Sequence, residues 1–290
     1  MVELLGKPLV KHQSETLRRN GIEDIQIATG YLENKIDLIK NIIMKLTIKE
    51  IQEIETDMTK EFAEICERNE ITYFLAYGSV LGAIRHSDPI PWDPDSDVLV
   101  PNNQFEKLIK ILRRELSDKY FLDYHDINNN YTATFPRIGL KGYSTMTLHV
   151  DVFRLVGVPD NTQKQIEFIN KLKKLCLIHF HKQISSTYRG EMSKIRKIKN
   201  LINKIINIPY NLENVRKEFD ELCNLYSYDS SVFVTNPTWA YGFKDILEKK
   251  IYGKGLKVKY SEIDVMVPVN HQEYLTHYYG DYMELPPKEE

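Results

Sequence analysis

The chain has 290 residues, 42% of them hydrophobic, and 39 Lys and Arg against 41 Asp and Glu leave a formal net charge of −2. That supports one large domain, or one domain with a small appendage, and disfavours a nucleic-acid binder, which would show a basic excess. Cys66, Cys176 and Cys223 lie far apart, with neither a disulfide framework nor zinc spacing, as expected of a reducing cytosolic setting.

The opening "MVELLGKPLV" does not read as a signal peptide, because charges interrupt its apolar run, and no stretch approaches the ~20 apolar residues of a membrane span. Residues 8–20, "PLVKHQSETLRRN", read as a helix, with Pro8 in the first turn and Gly21 past the end. "IEDIQIATG" then reads as a strand. This helix-strand unit is too small to bury both faces. Composition shifts near residues 36–46, which divides the chain into residues 1–45 and 46–290.

"LTIKEIQEIETDMTKEFAEICERNE" reads as a long amphipathic helix. Thr47 and Glu50 have capping-box spacing, and Ile48, Ile51, Ile54, Met58, Phe62 and Ile65 fall on one stripe. "ITYFLAY" and "SDVLVP" read as strands, and "NNQFEKLIKILRRELSDKY" as a helix with Phe105, Leu108, Ile109 and Leu112 inward. "YFLDYH", "YTATFPRI" and "TMTLHVDVFRL" read as further strands, so the fold class is α+β with a mixed or mostly antiparallel sheet. From 164 to 206 the chain turns helical and basic. Within residues 192–206, Lys194, Arg196, Lys197 and Lys199 flank apolar residues at helical spacing. That pattern fits a core-packing helix with a solvated basic face, or a peripheral membrane contact.

The chemistry concentrates in "GSVLGAIRHSDPIPWDPDSDVLVP", residues 78–101. Asp95 and Asp97 are two apart at the start of a predicted strand, so both carboxylates share one face. Like charges that close repel unless water screens them or a cation sits between them. Hard oxygen ligands together with a substrate phosphate suit Mg²⁺, with Mn²⁺ as a substitute. Gly78 and Ser79 end the preceding strand, where a glycine lets backbone N–H groups approach a phosphate. A third acid, Asp151, stands in the apolar run "HVDVF". These are the parts of a metal-assisted phosphoryl-transfer site; an acidic, proline-rich segment also reads as a solvated loop.

The stretch "YFLAYGSVLGAIRHSDPIPWDPDSDVLVP" resembles the signature of the LicD family of phosphocholine transferases, which includes the fukutin-related proteins. The tail "YLTHYYGDYMELPP" resembles that family's closing motif. The resemblance covers residues 47–290. It implies a nucleotidyltransferase-like fold of the polymerase-β type, a mixed sheet with flanking helices. It also implies Mg²⁺-dependent transfer of phosphocholine from CDP-choline to a hydroxyl of a cell-surface glycan precursor, of teichoic acid or lipopolysaccharide type and lipid-linked in some cases. Such an enzyme would work in the cytoplasm, at the inner face of the membrane. By motif match, Asp95 and Asp97 are the metal pair and Asp151 the third acid, which would complete the metal site as a third ligand or act as base for the acceptor hydroxyl. Pro94 and Ser96 depart from the family's pattern, which leaves the part of Asp93 open. Other CDP-alcohols, such as those of ribitol or glycerol, and a binding scaffold without turnover remain alternatives. The opening "LLGKPLVKHQSETLRRNGIEDIQIATGYLENKI" is similar to a piece of a choline-phosphate or sugar-nucleotide cytidylyltransferase that lacks the glycine-rich nucleotide loop.

Around the acids, Arg85 reads as a bidentate phosphate grip or a surface ion pair. Arg137 reads as a counter-charge for the pyrophosphate or a partner for a carboxylate. Trp92 reads as a stacking face for a base or a quaternary ammonium, or as loop packing. Tyr278, Tyr279 and Tyr282 read as core or lid aromatics.

Overall fold

A computed structural model of the chain describes residues 3–4, 7–8, 46–128, 131–145, 147–183, 202, 206–238 and 240–285. The chain divides into two units, Met1–Thr47 and Ile48–Glu290. In the first, β1 (Glu3–Leu4) and β2 (Lys7–Pro8) pair antiparallel. The helix expected at 8–20 and the strand after it lie outside the described residues apart from Pro8, which is in β2.

The second unit opens with α1 (Ile48–Arg68), whose stripe of Met58, Phe62, Ile65 and Cys66 is fully buried. The stripe does not hold at its start, where Ile48 is exposed. Below it lies a sheet in the order β3-β4-β7-β6-β5. Its strands are β3 (Phe74–Leu75), β4 (Ser96–Pro101), β5 (Tyr120–Asp123), β6 (Arg137–Leu140) and β7 (His149–Val158). The β4–β7 pair is parallel and the β3–β4, β5–β6 and β6–β7 pairs are antiparallel. The observed class is therefore α+β with a mixed sheet. β7 extends past β6 to pair with β8 (Phe233–Thr235), which pairs in turn with β9 (Leu247–Glu248). β10 (Leu256–Tyr260) and β11 (Ile263–Val267) form a separate hairpin.

Between β3 and β4 lies a short α2 (Tyr77–Leu81), which runs into a π-helical turn at Gly82–His86. The strand expected over 71–77 thus shrinks to two residues, and Gly78-Ser79 sits inside the first helical turn rather than at a strand end. Residues 131–136 are irregular; the strand expected there begins only at Arg137. α3 (Asn102–Glu115) packs Phe105, Leu108 and Leu112 against the sheet, as its spacing predicts. α4 (Thr162–Gln183) and α5 (Leu212–Cys223) close a second cluster around Val156 and Val158 of β7. α6 (His271–Tyr279) buries Tyr274, Leu275 and Tyr278 in the main core. No helix among the described residues is long and apolar enough to cross a membrane. The basic segment at 192–206 lies outside the described residues, except for the exposed Ile202 and Ile206.

Candidate active site

Registered residues on neighbouring strands share a face, and one register row collects four charged residues. Asp97 of β4 is opposite Asp151 of β7, Asp151 is opposite Arg137 of β6, and Arg137 is opposite Asp123 of β5. The sequence separates these residues widely; strand pairing makes them neighbours. Asp95 stands one residue before β4, on the exposed rim of the row.

Arg137 grips Asp151, with Nε 2.6 Å from Oδ1, and its Nη1 donates to the Thr145 carbonyl at 3.1 Å. Thr145 in turn donates through Oγ1 to Asp123 Oδ2 at 2.7 Å. His149 Nε2 lies 3.3 Å from Asp151 Oδ1. Burial, aided by the Arg137 charge, pulls the His149 ring down to about 3, so it stays neutral near pH 7 and adds no positive charge. Burial pushes Asp151 up to about 6 against the pull of Arg137. Burial, then repulsion from Asp151, Asp95 and Asp93, holds Asp97 well above the usual carboxylate range.

Ser79 is buried, and its hydroxyl accepts the Asp97 N–H at 2.9 Å, fixing the start of β4. Gly78 leaves room for Asp93: a Cβ at residue 78 would stand 2.6 Å from Asp93 Oδ2. Asp93 Oδ1 accepts the Asp95 N–H at 3.2 Å, so Asp93 shapes the turn that presents Asp95. Tyr77, just before Gly78, adopts a left-handed backbone (φ 46°), a conformation that costs a residue with a side chain of order 1–3 kcal/mol. Arg85 donates through Nη1 to the Tyr282 carbonyl at 2.8 Å and through Nε to His86 Nε2 at 2.9 Å. It therefore ties the chain's C-terminal segment to the π-helical turn. Trp92 is half exposed, with its ring edge-on to His86.

Two residues of α1 escape a sequence reading. Gln52 Nε2 donates to the carbonyls of Ile90 and Asp93, each at 2.8 Å, and so clamps the aspartate turn. Glu55, one helical turn on, is 2% exposed. Its Oε1 accepts the His149 N–H at 3.3 Å, while Oε2 is buried without a hydrogen-bond partner. Burial pushes its carboxyl up to about 9, with further repulsion from Asp95, Asp97 and Asp151. The available signal is its position: Glu55 follows Ile51 by four and precedes Met58 by three, which puts an acid on the buried stripe.

Carboxylates thus outnumber cations here, and the crowding is what a bound cation relieves. No group of three or more His, Cys, Asp or Glu side chains is already gathered as a metal cage among the described residues. Mg²⁺ needs none, since it commonly takes one or two carboxylates, substrate phosphates and water. The donor set is all oxygen, which fits that ion.

Residues 70–185, which contain the whole row, match the family model described as the LicD/FKTN/FKRP nucleotidyltransferase domain. The chain is also 26% identical over 257 residues to the lipopolysaccharide cholinephosphotransferase LicD of Haemophilus influenzae, covering 85% of this chain and 95% of that protein. The resemblance read from the 78–101 stretch and the tail is borne out: residues 70–185 match the LicD-family model, and the similarity to LicD extends over most of the chain.

Proposed function

We propose that this chain transfers phosphocholine from CDP-choline to a hydroxyl of a glycan precursor, of lipopolysaccharide or teichoic acid type, on a nucleotidyltransferase-like scaffold. The observation that carries the reading is the register row Asp97–Asp151–Arg137 with Asp95 at its rim, inside the matched domain. Asp95 and Asp97 would hold Mg²⁺, which supplies charge neutralisation at the phosphoryl oxygens.

The chain's own residues do the rest. Ser79 and Gln52 fix the backbone that carries the two aspartates. Asp151, held near pH 6 and oriented by Arg137, takes the proton of the acceptor hydroxyl as that oxygen bonds to phosphorus and CMP departs. The backbone at Gly78 would approach phosphate oxygens, the Ser79 N–H being taken by the Ala76 carbonyl at 2.9 Å, and Trp92 at the rim would meet the base. The basic segment at 192–206 would hold the enzyme weakly against an anionic leaflet, where a lipid-linked acceptor resides.

The test is a panel of CDP-alcohols (choline, ribitol, glycerol) with the purified chain, following CMP release with and without Mg²⁺. Mg²⁺-dependent release from CDP-choline, reduced by orders of magnitude in folded Asp95→Asn and Asp97→Asn variants, is expected. Near-wild-type rates in both variants would sink the assignment.

A further inference from the structure

A tyrosine wall stands on the acid row's own face. Phe153 lies two residues beyond Asp151 on β7, so the two side chains share a face. The Phe153 ring meets Tyr77 at 6.2 Å, and Tyr77 meets Tyr241 at 4.9 Å. Tyr278 packs against both, at 5.3 and 5.4 Å. Tyr77 also directly precedes Gly78, whose missing side chain makes room for Asp93.

The wall is anchored by Asp245, which is 1% exposed. Its Oδ1 accepts the hydroxyls of Tyr77 and Tyr278, each at 2.9 Å, and its Oδ2 accepts the Tyr241 N–H at 2.8 Å. Asn236 donates to the Tyr77 hydroxyl at 3.0 Å. Three rings and a buried acid are thus fixed together, whereas Tyr241 itself is 47% exposed. Its phenol and that of Tyr279 interact, and burial, with the carboxylates of Asp93 and Asp97, holds both above the ordinary tyrosine range.

Core packing accounts for Tyr77 and Tyr278. It does not account for a half-exposed ring on a rigid support beside a cluster of carboxylates. Aromatic faces next to negative charge attract organic cations, a quaternary ammonium most of all, since it has no N–H to leave unsatisfied and is weakly hydrated.

We infer that Tyr241 and Tyr279 form the subsite for the quaternary ammonium of the donor alcohol, with the Asp93 side of the row providing the field. The inference rests on the proposed choline donor. It separates the two ends of the substrate: phosphate at Asp95 and Asp97, cationic head against the tyrosines.

The experiment compares two ligands by calorimetry, with CMP as a control for an intact nucleotide site. One is CDP-choline; the other is the CDP ester of 3,3-dimethylbutanol, in which a neutral carbon replaces the quaternary nitrogen. The wild-type protein should favour CDP-choline roughly tenfold, the scale of one desolvated cation–π contact. Tyr241→Leu and Tyr279→Leu should each lose most of that preference, and Tyr241→Phe should keep it, with CMP binding unchanged in all three. Undiminished preference in both leucine variants overturns the subsite and leaves the proposed reaction standing. A wild-type protein that binds CDP-choline no better than CMP overturns the donor assignment and the subsite together.

Discussion

Arg137 and Asp151 face each other across adjacent antiparallel strands, Nε to Oδ1 at 2.6 Å, and both are nearly buried. The pair sits between two further acids of the same row, Asp97 and Asp123. Removing the arginine strands Asp151 beside Asp97 in a low-dielectric setting. Arg137→Ala should destabilise the fold by about 3–5 kcal/mol, the usual result of breaking one side of a buried pair. The double variant Arg137→Ala, Asp151→Asn should recover part of that loss. Urea unfolding of the three proteins measures both, and additive losses would contradict the pairing.

Gly78 is required by close approach. Gly78→Ala places a Cβ where Asp93 Oδ2 now lies, 2.6 Å away. The clash is with the end of the Asp93 side chain, so the carboxylate swings aside at a cost toward the low end of about 1–3 kcal/mol, and its bond from the Asp95 N–H, which shapes the turn, is given up. CMP release should drop at least about tenfold while the circular dichroism spectrum is unchanged, since each 1.4 kcal/mol of lost transition-state stabilisation is a factor of ten. Adding Asp93→Ala should restore thermal stability. An active, equally stable Gly78→Ala protein would show that the contact is not a constraint.

Gln52 links α1 to the aspartate turn through two carbonyls. Its amide touches no reacting group, so it acts by position. Gln52→Ala should lower kcat with a smaller change in KM, because the turn's backbone loosens where charge must be placed accurately. Gln52→Glu, which cannot donate to carbonyls when ionised, should be no better. Full activity in both variants would remove the clamp from the mechanism.

Glu55 gives a pH signature. Burial raises its folded-state carboxyl to about 9, above the ordinary value of about 4.3 of an unfolded chain. The folded state therefore holds the proton more tightly, and stability falls as pH rises from about 4.5 toward 9. At about 1.4 kcal/mol per unit, the cation-free protein should lose up to roughly 2–3 kcal/mol between pH 6 and 8. Glu55→Gln keeps the shape without the ionisation and should flatten that slope. Equal slopes for wild type and variant, by urea unfolding in the presence of a chelator, would mean that Glu55 is ionised in the fold.

The sequence by itself determined a good deal. Period decides it for α1 and α3, whose apolar residues recur every three to four positions, and for β4 and β7, whose mostly apolar runs, broken in β7 by Asp151 and Arg154, suit a buried strand. The spacing of Asp95 and Asp97 already fixes a shared side, because alternation along a strand is a local property. Tertiary structure decided what local rules cannot carry. Which strand lies beside β4 is a matter of register, and register alone makes Asp151 the neighbour of Asp97 and Arg137 the partner of Asp151. "YTATFPRI" has the composition of a strand, yet pairing begins only at Arg137, because a strand needs a partner as well as a propensity. Gly78-Ser79 resembles a strand end, yet Tyr77 opens a helical turn there, where its ring and hydroxyl are held by Tyr241, Tyr278 and Asp245 from far along the chain. Glu55 looks like one more charge on an amphipathic helix until the strands beneath α1 bring Asp97 and Asp151 to it. Its burial, and hence its chemistry, belongs to the assembled fold, since the environment that shifts a carboxyl exists only once the distant elements have met.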